Sequence, residues 1–118
     1  MTRSTVLGLS FDAQDAAKVA TFWATALGRQ VADGANAYDA VVLPSDLLSA
    51  GPRLAFHQVP EGKTVKNRVH LDLISKDLDA ESDRLIELGA TVVATISGQT
   101  RWITLADPEG NEFDLIAS

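Results

Sequence analysis

Twice along this chain an alternating apolar segment leads into a helix that opens at an aspartate and closes on Leu-Gly, and further β-rich segments follow. In the first pass Leu7, Leu9 and Phe11 alternate with Gly8, Ser10 and Asp12, the period of a half-buried strand. Asp15 stands at an N-cap position, Val19, Phe22, Trp23, Ala26 and Leu27 recur at helical spacing, and Gly28 supplies a C′ residue. This predicts an amphipathic helix over 15–27. Extended segments over 29–33 and 37–43 flank the turn sequence Asp33-Gly34-Ala35-Asn36. After a loop from Pro44 to Pro52, the run 53–59 predicts a fourth strand, with Leu54, Phe56 and Gln58 on one face and Arg53, Ala55 and His57 on the other.

Pro60-Glu61-Gly62-Lys63 ends that strand, and the same order restarts at Asn67. A strand over 68–74 precedes a helix over 77–88, opened by Asp77 or Asp79, with Leu78, Leu85 and Leu88 inward and Gly89 beyond its end. The β-rich runs 90–96 and 100–105 flank Ser97-Gly98. Asp107-Pro108-Glu109-Gly110-Asn111 then reverses the chain before a last strand from Glu112 to Ile116. The order βαβββ therefore occurs twice, as module one over 4–60 and module two over 66–118 of one 1–118 domain.

A unit of this kind leaves one sheet face bare, so two of them are expected to pack or exchange with one another. The reading is an α+β fold: two βαβββ modules form a curved, mostly antiparallel sheet around a cavity, with the helices outside. The cavity face carries Gly8, Ser10, Asp12, Arg53, Ala55, His57, His70, Asp72, Glu112 and Asp114, which is too polar for a dry core and suits a ligand pocket.

Composition narrows the function. Sixteen acidic residues against ten basic ones give a net charge of −6, and Arg53, Lys63, Lys66 and Arg68 read as scattered, solvated loop charges, so nucleic acid is not an expected partner. The absence of cysteine removes disulfides, thiolate catalysis and cysteine-bound zinc. The first residues enter a strand pattern without a signal core, and no apolar run reaches a membrane-spanning length, so a cytoplasmic protein with no membrane partner is expected. No dinucleotide fingerprint, P-loop, nucleophile elbow or HExxH zinc motif is present.

The repeated order, together with Arg68-Val69-His70-Leu71-Asp72-Leu73 and Asp107-Pro108-Glu109-Gly110-Asn111-Glu112-Phe113, resembles the vicinal oxygen chelate superfamily, and within it the glyoxalase-like and bleomycin-resistance-like small proteins. Thr21-Phe22-Trp23, Leu27-Gly28 and Leu88-Gly89-Ala90 extend the resemblance over nearly the whole chain. It implies one divalent metal ion held by ligands from both halves. His70 and Glu112 match that pattern in the second half, and imidazole with carboxylate suits zinc, nickel, manganese or ferrous iron. In the first half the matching positions are Gly8, which has no side chain, and either Ala55 or, shifted by two residues, His57.

Two functional readings stay open. In one, a metal acts as a Lewis acid on vicinal substrate oxygens and Glu112 moves a proton as the catalytic residue, giving lyase, isomerase or dioxygenase chemistry. In the other, a metal-free protein sequesters an antibiotic or metabolite. Both place a small-molecule ligand against His57, His70, Asp72, Trp102 and Asp114, with Trp102 offering an aromatic wall. His57 is either a site residue or an exposed strand-end histidine. Pairing of modules within or between chains points to a homodimer.

Overall fold

Asp15 accepts a hydrogen bond from the Lys18 amide at 3.2 Å and starts α1 (Ala16–Leu27), and Gly28, at φ 65°, ends it. This is the start and stop read from the sequence, because an aspartate satisfies the free amides of a first turn and glycine enters the left-handed region without a Cβ clash. Two more of those amides, from Ala16 and Ala17, reach the carbonyls of Ala37 and Asn36 at 3.0 Å. The buried stripe of α1 is Ala16, Val19, Ala20, Phe22, Trp23 and Ala24, with the rings of Phe22 and Trp23 edge to face at 5.3 Å.

The computed structural model describes residues 2–45 and 51–118. Its contacts divide the chain into a unit that ends at Gly62 and a second from Lys63 to Ser118. The first contains α1 and a sheet of β1 (Gly8–Ala13), β2 (Asp39–Val42) and β3 (Arg53–Gln58) in the order β1-β3-β2, with β3 parallel to β1 and antiparallel to β2. Leu54, Phe56, Ala40 and Val42 are buried on one face, where the alternation predicts apolar residues. The loop expected from Pro44 to Pro52 lies partly outside the described residues.

Three details differ from the sequence reading. Segment 29–33 makes only an isolated bridge, Val31 to Val42, rather than a strand. The Arg29 amide is committed to the Ala24 carbonyl at the helix end, so too few residues remain before the Asp33-Gly34 turn to build a ladder. Gln58 is exposed, its amide donating to the Gln14 carbonyl, so the inward face of β3 ends at Phe56. Ala55, placed on the solvated face by its parity, is only 2% exposed.

The second unit comprises β4 (Asp72–Ser75), α2 (Leu78–Leu88), β5 (Thr91–Ile96), β6 (Trp102–Ala106) and β7 (Glu112–Ala117). The sheet order is β4-β7-β6-β5, with β4 parallel to β7 and the other pairings antiparallel. Leu78 and Leu85 of α2 are buried, as are Ile103, Leu105, Phe113 and Leu115 on one sheet face; Leu88 is half-buried. Asp77, rather than Asp79, is the N-cap and accepts from the Ala80 amide at 3.1 Å. Asp79 instead pairs with Arg101 at 2.6 Å.

The strand expected over 68–74 begins only at Asp72. Its last rung is the Asp114 amide to the Leu71 carbonyl, and the next donor along β7, the Glu112 amide, goes to the Asn67 side chain. His70 therefore precedes the ladder. Before β7 the chain turns at Asp107-Pro108-Glu109-Gly110, with Gly110 at φ 87° and its amide on the Asp107 carbonyl at 2.9 Å. The result is an α+β fold whose two mixed sheets each pair their first and last strands in parallel. Among the described residues no helix is long and apolar enough to cross a membrane.

Candidate functional site

The strand registers show which residues of the two units correspond. Gly8 and His70 each stand seven residues before the aspartate that caps the following helix. Ser10 pairs with Ala55 and Asp72 pairs with Asp114 in the same parallel arrangement. Extending both registers by one two-residue step puts Arg53 opposite Gly8, where the second unit has Glu112 in line with His70. Arg53 is thus the counterpart of Glu112, rather than Ala55 or His57 as the sequence reading had it. Nothing in the local sequence marks this correspondence, because it depends on how β1 and β3 align, 45 residues apart at Gly8 and Arg53.

In the second unit, successive cross-strand partners fall on one face in two rows. One row is polar: Asp72, Asp114 and Thr104 are paired across β4, β7 and β6. The other is apolar: Ile74, Ile116, Trp102 and Ile96. Trp102 therefore lies beside the polar row, half-buried, while Trp23 belongs to the core.

His70 completes the polar row. Its Nδ1 lies 3.0 Å from Asp72 Oδ1 and 3.9 Å from Asp114 Oδ2, and the other oxygen of Asp114 accepts from the Thr104 hydroxyl at 2.6 Å. Ligand atoms from His70, Asp72 and Asp114 all lie within 4.8 Å of one another. With Nδ1 protonated the ring donates to Asp72 and presents Nε2, the orientation carboxylates give to metal-binding and proton-transferring imidazoles.

Glu112 points from the same face of β7 but is not in that cluster. Its two carboxylate oxygens lie 3.1 and 3.2 Å from the Lys66 ammonium, and its backbone amide donates to Asn67 Oδ1 at 3.0 Å. The His70 and Glu112 pair of the sequence reading is thus divided between two sets of partners. Lys66, read from sequence as a solvated loop charge, is the residue that reading missed. No local pattern marks it, since its partner is 46 residues away.

The first unit is different in kind. A Cβ on Gly8 would lie 2.5 Å from the Arg53 carbonyl oxygen and 2.6 Å from Arg53 Cγ, so no donor side chain fits there, and guanidinium has no lone pair to give a cation. His57 pairs through Nδ1 with Asp39 Oδ1 at 2.8 Å across the β2–β3 register, both side chains at least half exposed. The ligand set that draws on both halves therefore does not fit this chain. The second unit's own set of one imidazole and neighbouring carboxylates does suit a divalent first-row cation.

Residues 8–116 match the family model described as a glyoxalase-like domain. No curated protein matches the chain by sequence. Among solved structures, a member of the glyoxalase/bleomycin resistance protein/dioxygenase superfamily from Sphaerobacter thermophilus is 21% identical, with a TM-score of 0.69 and 100% of each chain covered. The fosfomycin resistance protein FosX from Mesorhizobium loti is 14% identical, with a TM-score of 0.73 and coverage of 99% of this chain and 94% of that one. A mutant of FosX from Listeria monocytogenes, complexed with Mn(II) and 1S,2S-dihydroxypropylphosphonic acid, is 15% identical, with a TM-score of 0.73 and coverage of 98% and 90%.

Proposed function

Because this chain belongs to the glyoxalase-like family, we propose that it binds a small organic molecule against the two-row face of its second unit, with a divalent cation held by His70, Asp72 and Asp114. The observation that carries this reading is the convergence of an imidazole and two carboxylates within 4.8 Å. The Mn(II) complex of the fold neighbour FosX supports it. When bound, such a cation supplies Lewis-acid polarisation of substrate oxygens. The chain's own residues do the rest. His70 Nδ1, in its deprotonated state, faces the Asp72 and Asp114 oxygens that would hold the cation with it, Thr104 fixes one oxygen of Asp114, and Glu112 provides either a further oxygen ligand or the carboxylate that accepts a substrate proton. The apolar row of Ile74, Ile116, Trp102 and Ile96 receives the carbon body of the ligand.

A metal-free binder is the second reading, and a specific observation favours it: Gly8 and Arg53 stand where the first unit would need donors. Antibiotic or metabolite sequestration then uses the same face without chemistry. Either reading extends to a homodimer, for which the 74% exposed Ile74 on edge strand β4 offers apolar surface.

Elemental analysis of untagged protein after incubation with Mn(II), Zn(II), Ni(II) or Fe(II) and desalting separates the two readings. The metal reading expects close to one ion per chain and its loss in His70→Ala. A His70→Ala protein that retains all its metal sinks the ligand assignment. A thermal-shift screen of small oxygen-rich compounds, with and without the metal, should then raise the melting temperature by mass action.

A further inference from the structure

Lys66 lies in the segment that leads to β4 and has no helical or strand structure of its own. The ion pair it makes is lopsided: the Glu112 side chain is 18% exposed and held on a strand, whereas Lys66 is 74% exposed. The backbone beneath it is fixed as well. Asn67 accepts the Glu112 amide at 3.0 Å and donates to Asn111 Oδ1 at 3.1 Å, which ties the Lys66 backbone to the start of β7.

An ammonium and a divalent cation compete for the same carboxylate lone pairs. The exposed, flexible partner is the one released at small cost, since ion pairs of this exposure contribute little. Glu112 is two residues before Asp114 on the same face of β7, one step along the strand from the polar row that His70, Asp72 and Asp114 share.

We propose that Lys66 is an internal counter-ion that occupies Glu112 in the absence of metal and is displaced when a divalent cation enters the cluster, so that Lys66 sets the metal affinity through Glu112. The proposal deepens the metal reading above and rests on it. It assigns Glu112 to the ligand set in the loaded protein.

The test is a Mn(II) titration of the full chain, with free Mn(II) read by electron paramagnetic resonance, on the wild type, Lys66→Met, Glu112→Gln and the double variant. Lys66→Met should tighten binding about 1.5- to fivefold, the range expected for removing an exposed competing ion pair. Glu112→Gln should weaken binding, and Lys66→Met should have no effect in its background. Equal affinity of Lys66→Met and wild type, or equal tightening with and without Glu112, overturns the counter-ion role while leaving the metal reading intact. Absence of binding to every protein overturns both. Lysine acetylation footprinting provides a readout that needs no variant: Mn(II) should raise the reactivity of Lys66 and leave Lys18 and Lys76 unchanged, and an unaltered Lys66 counts against displacement.

Discussion

Replacing Gly8 by alanine tests the packing that separates the two units chemically. The added Cβ would sit 2.5 Å from the Arg53 carbonyl oxygen, whereas ordinary contact begins at 3.4 Å, so β1 and β3 must part by roughly 0.9 Å at this rung. One of the obstructing atoms is backbone and cannot rotate away. Overpacking of this kind costs about 1–3 kcal/mol. With an unfolding entropy of about 2.1 cal/mol/K per residue, about 2 kcal/mol lowers the melting temperature of a chain this long by about 8 °C. Gly98→Ala is the matched control, because nothing lies within 4 Å of its Cβ position and its φ is not positive. Differential scanning calorimetry of both variants decides the matter: Gly8→Ala melting within about 2 °C of Gly98→Ala would falsify the contact argument. The functional corollary is that Gly8→His alone does not restore a first-unit ligand, since the imidazole needs the space that Arg53 fills.

Two further outcomes follow from the second unit. Asp107 is 4% exposed and accepts from the Glu109 and Asn111 amides and the Asn111 side chain, so Asp107→Ala should cost about 2–3 kcal/mol in urea unfolding, with Asp107→Asn recovering part of it. The hydrogen bonds from Arg84, at 2.6 and 2.8 Å, hold the Glu81 carboxyl below its ordinary value of 4.5 against a smaller opposing effect of burial. A lowered folded-state pKa contributes stability above the unfolded value and loses it as pH falls through the folded one. Arg84→Ala should therefore cost about 0.3–0.5 kcal/mol at neutral pH, and the difference from wild type should shrink as pH falls below 4.5 and vanish once pH is well below the lowered folded-state value. A gap that persists in acid would assign the effect to packing of the arginine stem.

Local chemistry made most of the elements legible. Asp15, Asp77, Gly28 and Gly89 bound their helices because capping depends on a few neighbouring amides and on φ, and both are written locally. Alternation likewise put Asp72, Asp114 and Glu112 on one side of their strands. The segment over 29–33 failed as a strand because its first amide was claimed by the helix before it, a competition that propensity does not register. The two-residue period put Asp72 and Asp114 on the same face as His70, but the Thr104 hydroxyl that binds Asp114 was not legible, since it joins the row only through the β7–β6 register.

The sequence by itself determined the repeated strand-helix-strand order, with βαβββ complete only in the second unit, the helix limits, the final tight turn and the family, because these rest on periodicity and on short motifs. Tertiary structure alone decided that Arg53, rather than Ala55 or His57, corresponds to Glu112, that Gly8 has no room for a side chain, and that Glu112 pairs with Lys66. Register, close packing and ion pairing join residues tens of positions apart. Such distances are set by how strands align, and nothing in the residues between them records that alignment.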